Sequence, residues 1–370
     1  MAQLARHHLK WLLRLYLFAL ITLLGCSRTP GSSGPATADS VVSSDAGLVL
    51  QEAEGELRVR RPRPEAAGMT LRDFIIKVDE KNGGSTDLFM GYESIQPGAR
   101  IPPHHHPYSG EILFVQQGVG LASLGSRERA VGPGATIYIP GNTRVSLRNT
   151  GTEPLTIAFI FARPGVGEFF RDLSVLEGDS AAPISEEQVA AIRARHREHI
   201  TFDSLAGGKG SGLILQEAEG EVRMQRPPPS GAGGLDTPFI IKVDQKNGSS
   251  PDLVMISRDV EPGKAIAPHY HPADGEILFI HRGSGVASLG SREAPIAAGA
   301  TIYIPPGTRA AIRNTGTGPL TTLAIFAKPG FEQYLRDVSV PKGKRASPLS
   351  AEELSAIRAR HRAHVVYDKP

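Results

Sequence analysis

Residues 98–118 read GARIPPHHHPYSGEILFVQQG, and residues 263–283 read GKAIAPHYHPADGEILFIHRG. Both stretches place two histidines one residue apart and a glutamate shortly after them, with a glycine at each end. The second stretch follows the first by 165 positions (263 − 98), and GATIYIP at Gly134 returns unchanged at Gly299 with the same offset. A repeat unit of this length is a domain with its own core rather than a solenoid repeat. The sequence therefore predicts a tandem duplication.

The repeat predicts two domains, over residues 47–204 and 212–370, joined by the glycine-rich segment AGGKGSG at residues 206–212. Residues 26–46 are small and polar with few apolar side chains, so we predict a flexible tether there. The chain has 41 basic and 38 acidic side chains, a net charge of +3. This near balance argues against nucleic acid as a partner, since a nucleic-acid-binding surface needs uncompensated basic residues.

The first 25 residues have the pattern of a secretory signal peptide. Residues 1–14 contain Arg6, Lys10 and Arg14, and residues 15–24 (LYLFALITLL) are apolar. This apolar run is about half as long as a membrane-spanning helix requires, which disfavours a plain membrane anchor. The LLGC that ends at Cys26 resembles the lipobox of bacterial lipoproteins. That resemblance implies cleavage before Cys26, lipidation of its thiol, and anchoring in the cell envelope, on the outer membrane or the periplasmic membrane face.

Each domain is predicted to be all-β with one terminal helix. Segments such as EILFV and ATIYI are rich in β-branched and aromatic residues and are bounded by glycine and proline, which favours a sandwich or closed barrel. The outward-facing Ile112 and Phe114 need a second apolar cover, for which the other domain is the obvious candidate. Capping-box patterns starting at Ser185 and Ser350 predict an amphipathic helix at the end of each domain.

The histidines and the glutamate of each repeat form a candidate metal site. On a strand, residues two apart face the same side, so His104 and His106 project together, and Glu111 follows after a turn. Two imidazoles and a carboxylate suit Fe²⁺, Mn²⁺, Zn²⁺ or Ni²⁺ with open coordination positions. The second repeat offers the equivalent set His269, His271 and Glu276.

At these residues the chain resembles the cupins, whose first motif is G-x5-HxH-x4-E-x6-G. Two copies resemble a bicupin, which implies two double-stranded β-helix (jelly-roll) domains with a metal inside each barrel. The second cupin motif, G-x5-P-x-G-x2-H-x3-N, is matched only in part, because Val145 and Ala310 replace its histidine ligand and Asn142 replaces a glycine. Asparagine tolerates the left-handed backbone better than most residues. Two explanations stay open: a three-ligand centre with extra room, or a barrel whose metal binding has weakened.

The favoured functional hypothesis is a lipid-anchored bicupin that binds a divalent metal in each barrel and oxidises a small organic molecule, in the manner of a dioxygenase. The alternative is a non-catalytic envelope protein that binds or senses a small molecule or metal. The other expected partners are a small-molecule ligand or substrate and, through contacts between domains or within a homodimer, the protein itself. The basic cluster from Arg58 to Arg63 is interpreted as a solvated edge strand. His196 and His199, with His361 and His364, are interpreted as a packing or solvated helix face.

Overall fold

The computed structural model describes residues 47–63, 71–202, 212–229 and 237–368. The predicted signal peptide, the tether, Cys26 and most of the glycine-rich segment therefore lie outside the described residues. Within the described ranges, every helix is too short or too polar to cross a membrane.

The two halves share one order of elements, except that the second half ends in an additional short strand. The first half contains β1 (Leu48–Leu50), β2 (Glu56–Arg60), β3 (Leu71–Val78), β4 (Phe89–Ile95), β5 (Arg100–His104), β6 (Glu111–Gln117), β7 (Gly120–Leu124), β8 (Arg127–Val131), β9 (Thr136–Ile139), β10 (Val145–Asn149), β11 (Leu155–Phe161), α1 (Val166–Asp172), β12 (Ser174–Leu176) and α2 (Glu186–Arg195). The second half contains β13 (Leu213–Leu215), β14 (Glu221–Gln225), β15 (Phe239–Val243), β16 (Val254–Val260), β17 (Ala265–Tyr270), β18 (Glu276–Arg282), β19 (Ser284–Leu289), β20 (Arg292–Ala297), β21 (Thr301–Ile304), β22 (Ala310–Asn314), β23 (Leu320–Phe326), α3 (Phe331–Asp337), β24 (Ser339–Pro341), α4 (Ala351–Arg360) and β25 (Val366–Tyr367).

Each half packs a large antiparallel sheet against a small one. The first half has the strand orders β12-β2-β3-β4-β11-β6-β9-β13 and β5-β10-β7-β8. The second half has the orders β1-β21-β18-β23-β16-β15-β14-β24 and β20-β19-β22-β17-β25. The apolar inner faces of the two sheets in a half form its core, as in other two-layer β folds. The predicted all-β, two-domain jelly-roll architecture is confirmed.

The halves exchange their first strands. Strand β1 pairs with β21 of the second half, with Leu48 opposite Tyr303. Strand β13 pairs with β9 of the first half, with Leu213 opposite Tyr138. The predicted domains begin at residues 47 and 212, and each large sheet also contains one strand from the other predicted domain.

A shared apolar core joins the outer faces of the two large sheets. It includes Ile112 and Phe114 of β6 together with Ile277 and Phe279 of β18, all of them fully buried. The rings of Phe114 and Phe279 lie 6.0 Å apart. The second domain therefore supplies the cover that the outward-facing residues of β6 were predicted to need.

The two predicted terminal helices form with the predicted caps. In α2 the Ser185 hydroxyl accepts from the amide of Gln188, and the Gln188 side chain returns a hydrogen bond to the Ser185 amide. Helix α4 repeats this capping box at Ser350. Both helices bury a narrow apolar stripe against their own half, through Val189 and Ile192 in α2 and Ile357 in α4. The shorter helices α1 and α3 were not predicted.

The interpretation of the Arg58–Arg63 cluster as a solvated edge strand is wrong. Strand β2 lies between β12 and β3 rather than at the edge. Arg58 is buried and donates to the Ser174 hydroxyl at 2.7 Å, and Arg60 pairs with Glu93 inside the barrel. The partners of these arginines are polar groups that lie far away in the sequence. The charge pattern around the arginines therefore could not reveal them.

Candidate metal centre

The first triad forms where β5 ends and β6 begins. Strand β5 ends at His104, the chain turns after His106, and β6 opens at Glu111. The Nε2 atom of His106 lies 3.4 Å from Oε2 of Glu111, and that of His104 lies 4.0 Å from the same oxygen. All three side chains are buried. The structure thus brings together the three residues that the sequence motif singled out in the first repeat.

The second triad has the same geometry. His269, His271 and Glu276 are buried, and Nε2 of His271 lies 3.5 Å from Oε2 of Glu276. The rings of His269 and His271 lie 5.2 Å apart at 87°, against 5.0 Å and 86° in the first triad. In each triad the candidate ligand atoms lie within 4.8 Å of one another. Each half therefore has a cluster of buried donors that can hold a divalent metal.

Backbone carbonyls orient the four imidazoles. The Nδ1 atom of His104 lies 2.9 Å from the Pro102 carbonyl oxygen, and that of His106 lies 2.6 Å from the His199 carbonyl oxygen. The second half repeats both contacts, at 2.8 Å between His269 and Ala267 and at 2.5 Å between His271 and His364. A carbonyl can only accept, so Nδ1 carries the proton and Nε2 keeps its lone pair. This arrangement is typical of histidines that ligate metals.

Unpartnered polar atoms show that the donors fit a cation. Nε2 of His106, Oε2 of Glu111 and Nε2 of His271 are buried, and no hydrogen-bond donor or acceptor reaches them. Buried polar atoms without partners are costly. A metal ion in the first triad would satisfy the lone pairs of His106 and Glu111 together, and an ion in the second triad would satisfy that of His271. The residues present therefore suit a divalent ion.

The protonation state of two histidines favours metal binding. Burial lowers the pKa of His104 to about 4, and the neighbouring His106 adds to the effect. Burial also lowers the pKa of His269, with further lowering from His271 and Arg258. Both imidazoles are therefore neutral near pH 7, as a metal ligand must be.

The position of the histidine in the second sequence motif is aliphatic in both halves. Val145 lies opposite His104 in the pairing of β10 with β5, and Ala310 lies opposite His269 in the pairing of β22 with β17. Both residues are buried. The loop geometry of the motif is nevertheless kept, because Asn142 has a φ of 60° where Gly307 has 74°. The expectation that asparagine takes the left-handed conformation here is confirmed.

A cavity adjoins each triad. It encloses about 70 Å³ in the first half and about 60 Å³ in the second, enough for a few water molecules or a small ligand group. Apolar side chains form most of both walls. The two cavities differ in their charged residues, which are Arg60, Arg63 and Glu93 in the first and Arg258 in the second.

The surfaces beside the two triads differ. In the first half, Tyr108 is 70% exposed and lines a second cavity with Arg163 and His199. In the second half, Asp274 is buried and lies 3.7 Å from Lys328 and 3.7 Å from His364. The triads are alike, but an exposed aromatic ring lies near the first in the chain and a charged cluster lies near the second.

Aromatic residues late in each repeat pack on the triads and were missed in the sequence. The ring of Phe202 lies 6.0 Å from that of His104, and Tyr367 stacks on His269 at 5.3 Å. Phe331 of α3 lies 4.8 Å from His271. The available signal was that Phe202 and Tyr367 are both aromatic and 165 positions apart.

The helix histidines take no part in a metal cluster among the described residues. His196 lies 2.8 Å from the Asp172 carboxylate, and His361 lies 2.9 Å from that of Asp337. Both rings are buried and tie the terminal helix to the preceding short helix. The predicted packing role fits these contacts.

Comparison with known proteins gives consistent matches to one family. A family model described as "Cupin domain" matches residues 91–161 and 257–326. "Protein SchB" of Streptomyces halstedii is 33% identical over 104 residues, which cover 27% of this chain and 72% of SchB. The "Oxalate-binding protein" of Thermotoga maritima is 23% identical over 118 residues, which cover 32% of this chain and 96% of that protein.

Two solved structures share the fold of both halves. Lactobacillus farciminis oxalate decarboxylase in a formate complex matches with a TM-score of 0.52 and 16% identity, over 77% of this chain and 88% of that one. A variant of Bacillus subtilis oxalate decarboxylase matches with a TM-score of 0.51 and 16% identity, over 94% of this chain and 99% of that one. At this level of identity the likeness concerns the fold alone.

Proposed function

Because the chain belongs to the cupin family and carries two cupin domains, we propose that it binds a divalent metal in each half and acts as a metal-dependent oxidoreductase on a small organic molecule. The observation that carries this proposal is the pair of buried triads whose Nε2 atoms are held free by backbone carbonyls. Fold alone does not fix chemistry, so the proposal rests on the site.

The residues of each half have distinct parts in this function. His104, His106 and Glu111, or His269, His271 and Glu276, would hold an ion chosen from Fe²⁺, Mn²⁺, Zn²⁺ and Ni²⁺. A bound ion would supply Lewis-acid or redox chemistry at its open coordination positions. The carbonyls of Pro102 and His199 keep the imidazole protons on Nδ1, and mostly apolar side chains form the cavity wall beside the triad.

Metal analysis of the purified chain, followed by oxygen-uptake assays on panels of small organic molecules, tests the proposal. We expect close to two equivalents of iron or manganese per chain, as the two triads require. Turnover should then disappear on chelation and return with the metal. Protein that binds no added ion, or that binds metal and turns over none of the panel, would contradict the enzymatic proposal.

A second candidate function is non-catalytic binding of a small molecule or metal. The observation that favours it is the aliphatic side chain at the fourth ligand position in both halves, Val145 and Ala310. A three-ligand site of this kind can hold an ion tightly without activating a substrate. Tightly bound zinc with ligand binding but no turnover would favour this function over the oxidoreductase.

We further propose that the mature protein is a lipoprotein of the cell envelope, lipidated at Cys26. The support is sequence alone: a basic start, a short apolar run and LLGC ending at the chain's one cysteine. Metabolic labelling with a radioactive fatty acid tests it. Label should enter the unmodified protein and be absent from Cys26→Ser; label in both would overturn the proposal.

A further inference from the structure

A charged pair in the first barrel has no equivalent in the second. In the first half, Arg60 of β2 forms an ion pair with Glu93 of β4 beside the triad. The corresponding positions, 165 residues later, are Gln225 of β14 and Arg258 of β16. The arginine has therefore changed strands, and the carboxylate that balanced it is gone. Arg63, which also lines the first cavity, has interactions of its own.

Arg258 is a cation with incomplete partners. Its Nη2 donates to Oε1 of Gln225 at 2.7 Å, and its guanidinium carbon lies 5.0 Å from the centre of the Phe239 ring. Its Nε is buried and has no hydrogen-bond partner. Among the described residues, no ion pair joins Arg258 to a carboxylate. Burial accordingly lowers the pKa of this guanidinium. Arg258 as a whole is partly exposed, but its Nε is a buried donor, and a buried donor without a partner is costly until an acceptor reaches it.

The cavity around Arg258 has room for an anion with an apolar body. Arg258 lines the same cavity as His269 and Glu276. Ala324 stands where the first half has Phe159, and Ala310 where it has Val145, so the side chains at these two positions are smaller, while the cavity volume of about 60 Å³ does not exceed that of the first cavity. Leu278 is among the apolar side chains that form the rest of the wall. Glu276 is the one carboxylate in this lining that could pair with Arg258 in place of a ligand.

We propose that the second cavity binds a small organic carboxylate, with its carboxylate on the guanidinium of Arg258 and its apolar part against the wall that Ala324 and Ala310 leave open. An arginine fork matches the two oxygens of a carboxylate. The inference rests on the proposed function in one respect, namely that the cavity beside the triad is where the substrate binds. It adds the class of substrate and assigns it to one half.

Calorimetric titration of the full chain with butyrate tests the inference, with butyramide as the uncharged ligand of the same shape. The titration is made on metal-free protein, so that its outcome does not depend on metal binding or turnover. We expect saturable butyrate binding and at least tenfold weaker binding of butyramide. Arg258→Gln should weaken butyrate binding at least tenfold.

Gln225→Glu is the matched variant in case Arg258→Gln fails to fold. The glutamate side chain has the same shape as the native glutamine. It places a carboxylate where Oε1 of Gln225 accepts a hydrogen bond from Arg258. We expect it to remain folded and to bind butyrate at least tenfold more weakly, because the protein then supplies its own anion. Butyrate binding that is absent from the unmodified chain, equal to that of butyramide, or unchanged in the folded variants would overturn the inference. A chain that fails the metal assay but passes this one keeps the carboxylate site and loses only the proposed chemistry.

Discussion

At the scale of residues, the two triads are near-identical sites in one chain, and this makes each a control for the other. In both, carbonyl contacts hold the imidazoles, and the glutamate lies within 3.5 Å of the second histidine. The differences lie around the triads, at pairs such as Val145 and Ala310 or Ser109 and Asp274. Functional differences between the halves should therefore arise from the surroundings of the metal rather than from its ligands.

Alanine variants of the triads should remove metal one site at a time. His104→Ala and His269→Ala should each reduce the bound metal from two equivalents to about one, and the double variant should bind none. The reason is that each ion loses one of three protein ligands while the other triad is untouched. Mass spectrometry of the intact protein under native conditions measures the stoichiometry. Loss of both ions from a single variant would contradict independent sites.

Ligand binding, in contrast, should not divide equally between the halves. If the second cavity takes the carboxylate, His269→Ala should alter butyrate binding more than His104→Ala does, because Arg258 lies beside His269. The same calorimetric titration provides the measurement. Equal and additive effects of the two variants would speak against a dominant cavity.

His281 should make the fold acid-sensitive. Burial lowers the pKa of this histidine to about 4, and its Nδ1 lies 2.8 Å from Oε1 of Gln116 across the shared core. The imidazole of His281 takes up a proton near pH 6.5 in the unfolded chain but only near pH 4 in the folded chain. The fold therefore has its full stability above pH 6.5 and loses free energy of unfolding as the pH falls to 4. The full loss is about 3 kcal/mol.

His281→Gln is the matched variant for this effect, because the first half has Gln116 at the equivalent position. A glutamine does not titrate, so the variant should lose less free energy of unfolding than the native chain between pH 6.5 and pH 4. Denaturant unfolding across that pH range measures the difference. Parallel curves for the two proteins would show that His281 does not titrate as described.

At the scale of elements, a buried lysine fixes the segment that follows each exchanged strand. Lys77 of β3 is fully buried, and its Nζ donates to the carbonyls of Gln51, Glu52 and Glu54 just after β1. Lys242 makes the corresponding contacts with Gln216 and Glu217 after β13. Each ammonium group therefore ties its own unit to a strand that lies in the other unit's sheet.

Replacing Lys77 by methionine should destabilise the fold by about 2 kcal/mol or more, because three backbone carbonyls lose the donor that they share. Lys242→Met should have a similar effect in the second half. Lys81→Met is the control, since Lys81 is exposed and its ion pair with Glu168 contributes little. Urea unfolding measures all three. An effect of Lys77→Met no larger than that of Lys81→Met would refute the role given to this lysine.

Local sequence predicted some elements well and others not at all. The capping boxes at Ser185 and Ser350 specify a helix start by themselves, because both hydrogen bonds join neighbouring residues. The HxH motif predicted the triads since strand geometry places alternate residues on one side. Helices α1 and α3 span 7 residues each and have no side-chain cap, so little in the sequence marks them.

Longer-range contacts could not be read from the chain. The ion pair between Arg60 and Glu93 joins residues 33 positions apart, and nothing local to the arginine cluster indicates it. The exchange of β1 and β13 is even harder to predict from the sequence. Strands β9 and β21 have the same sequence, TIYI. The local sequence therefore gives β1 and β13 no preference between pairing within their own half and pairing with the other half. Only the packing of two complete domains decides between them.

At the scale of the whole molecule, the exchange makes the two halves nearly interchangeable. The pairing of Leu48 with Tyr303 and that of Leu213 with Tyr138 are related by the same offset of 165 residues (213 − 48 and 303 − 138). Each half presents the same outer face of its large sheet to the other. The arrangement therefore has the self-complementary form of a two-fold dimer.

An isolated first half, residues 47–202, should accordingly form a homodimer. Strand β1 of one copy can pair with β9 of the other, and the exposed Ile112 and Phe114 require the same cover in each. Light scattering after gel filtration measures the mass. Replacing Val49 by proline, which removes a backbone donor from the exchanged strand, should weaken the dimer. A stable, folded monomer at micromolar concentration would contradict this expectation.

The reciprocal strands also bear on how such a chain can evolve after duplication. A copy whose chemistry has lapsed still supplies a strand that its sister needs, so deleting it would harm the survivor as well. Both copies are thereby retained for structural reasons, and either pocket is free to drift toward a new ligand. The different settings of Arg60 with Glu93 and of Gln225 with Arg258 are the kind of divergence that such retention permits.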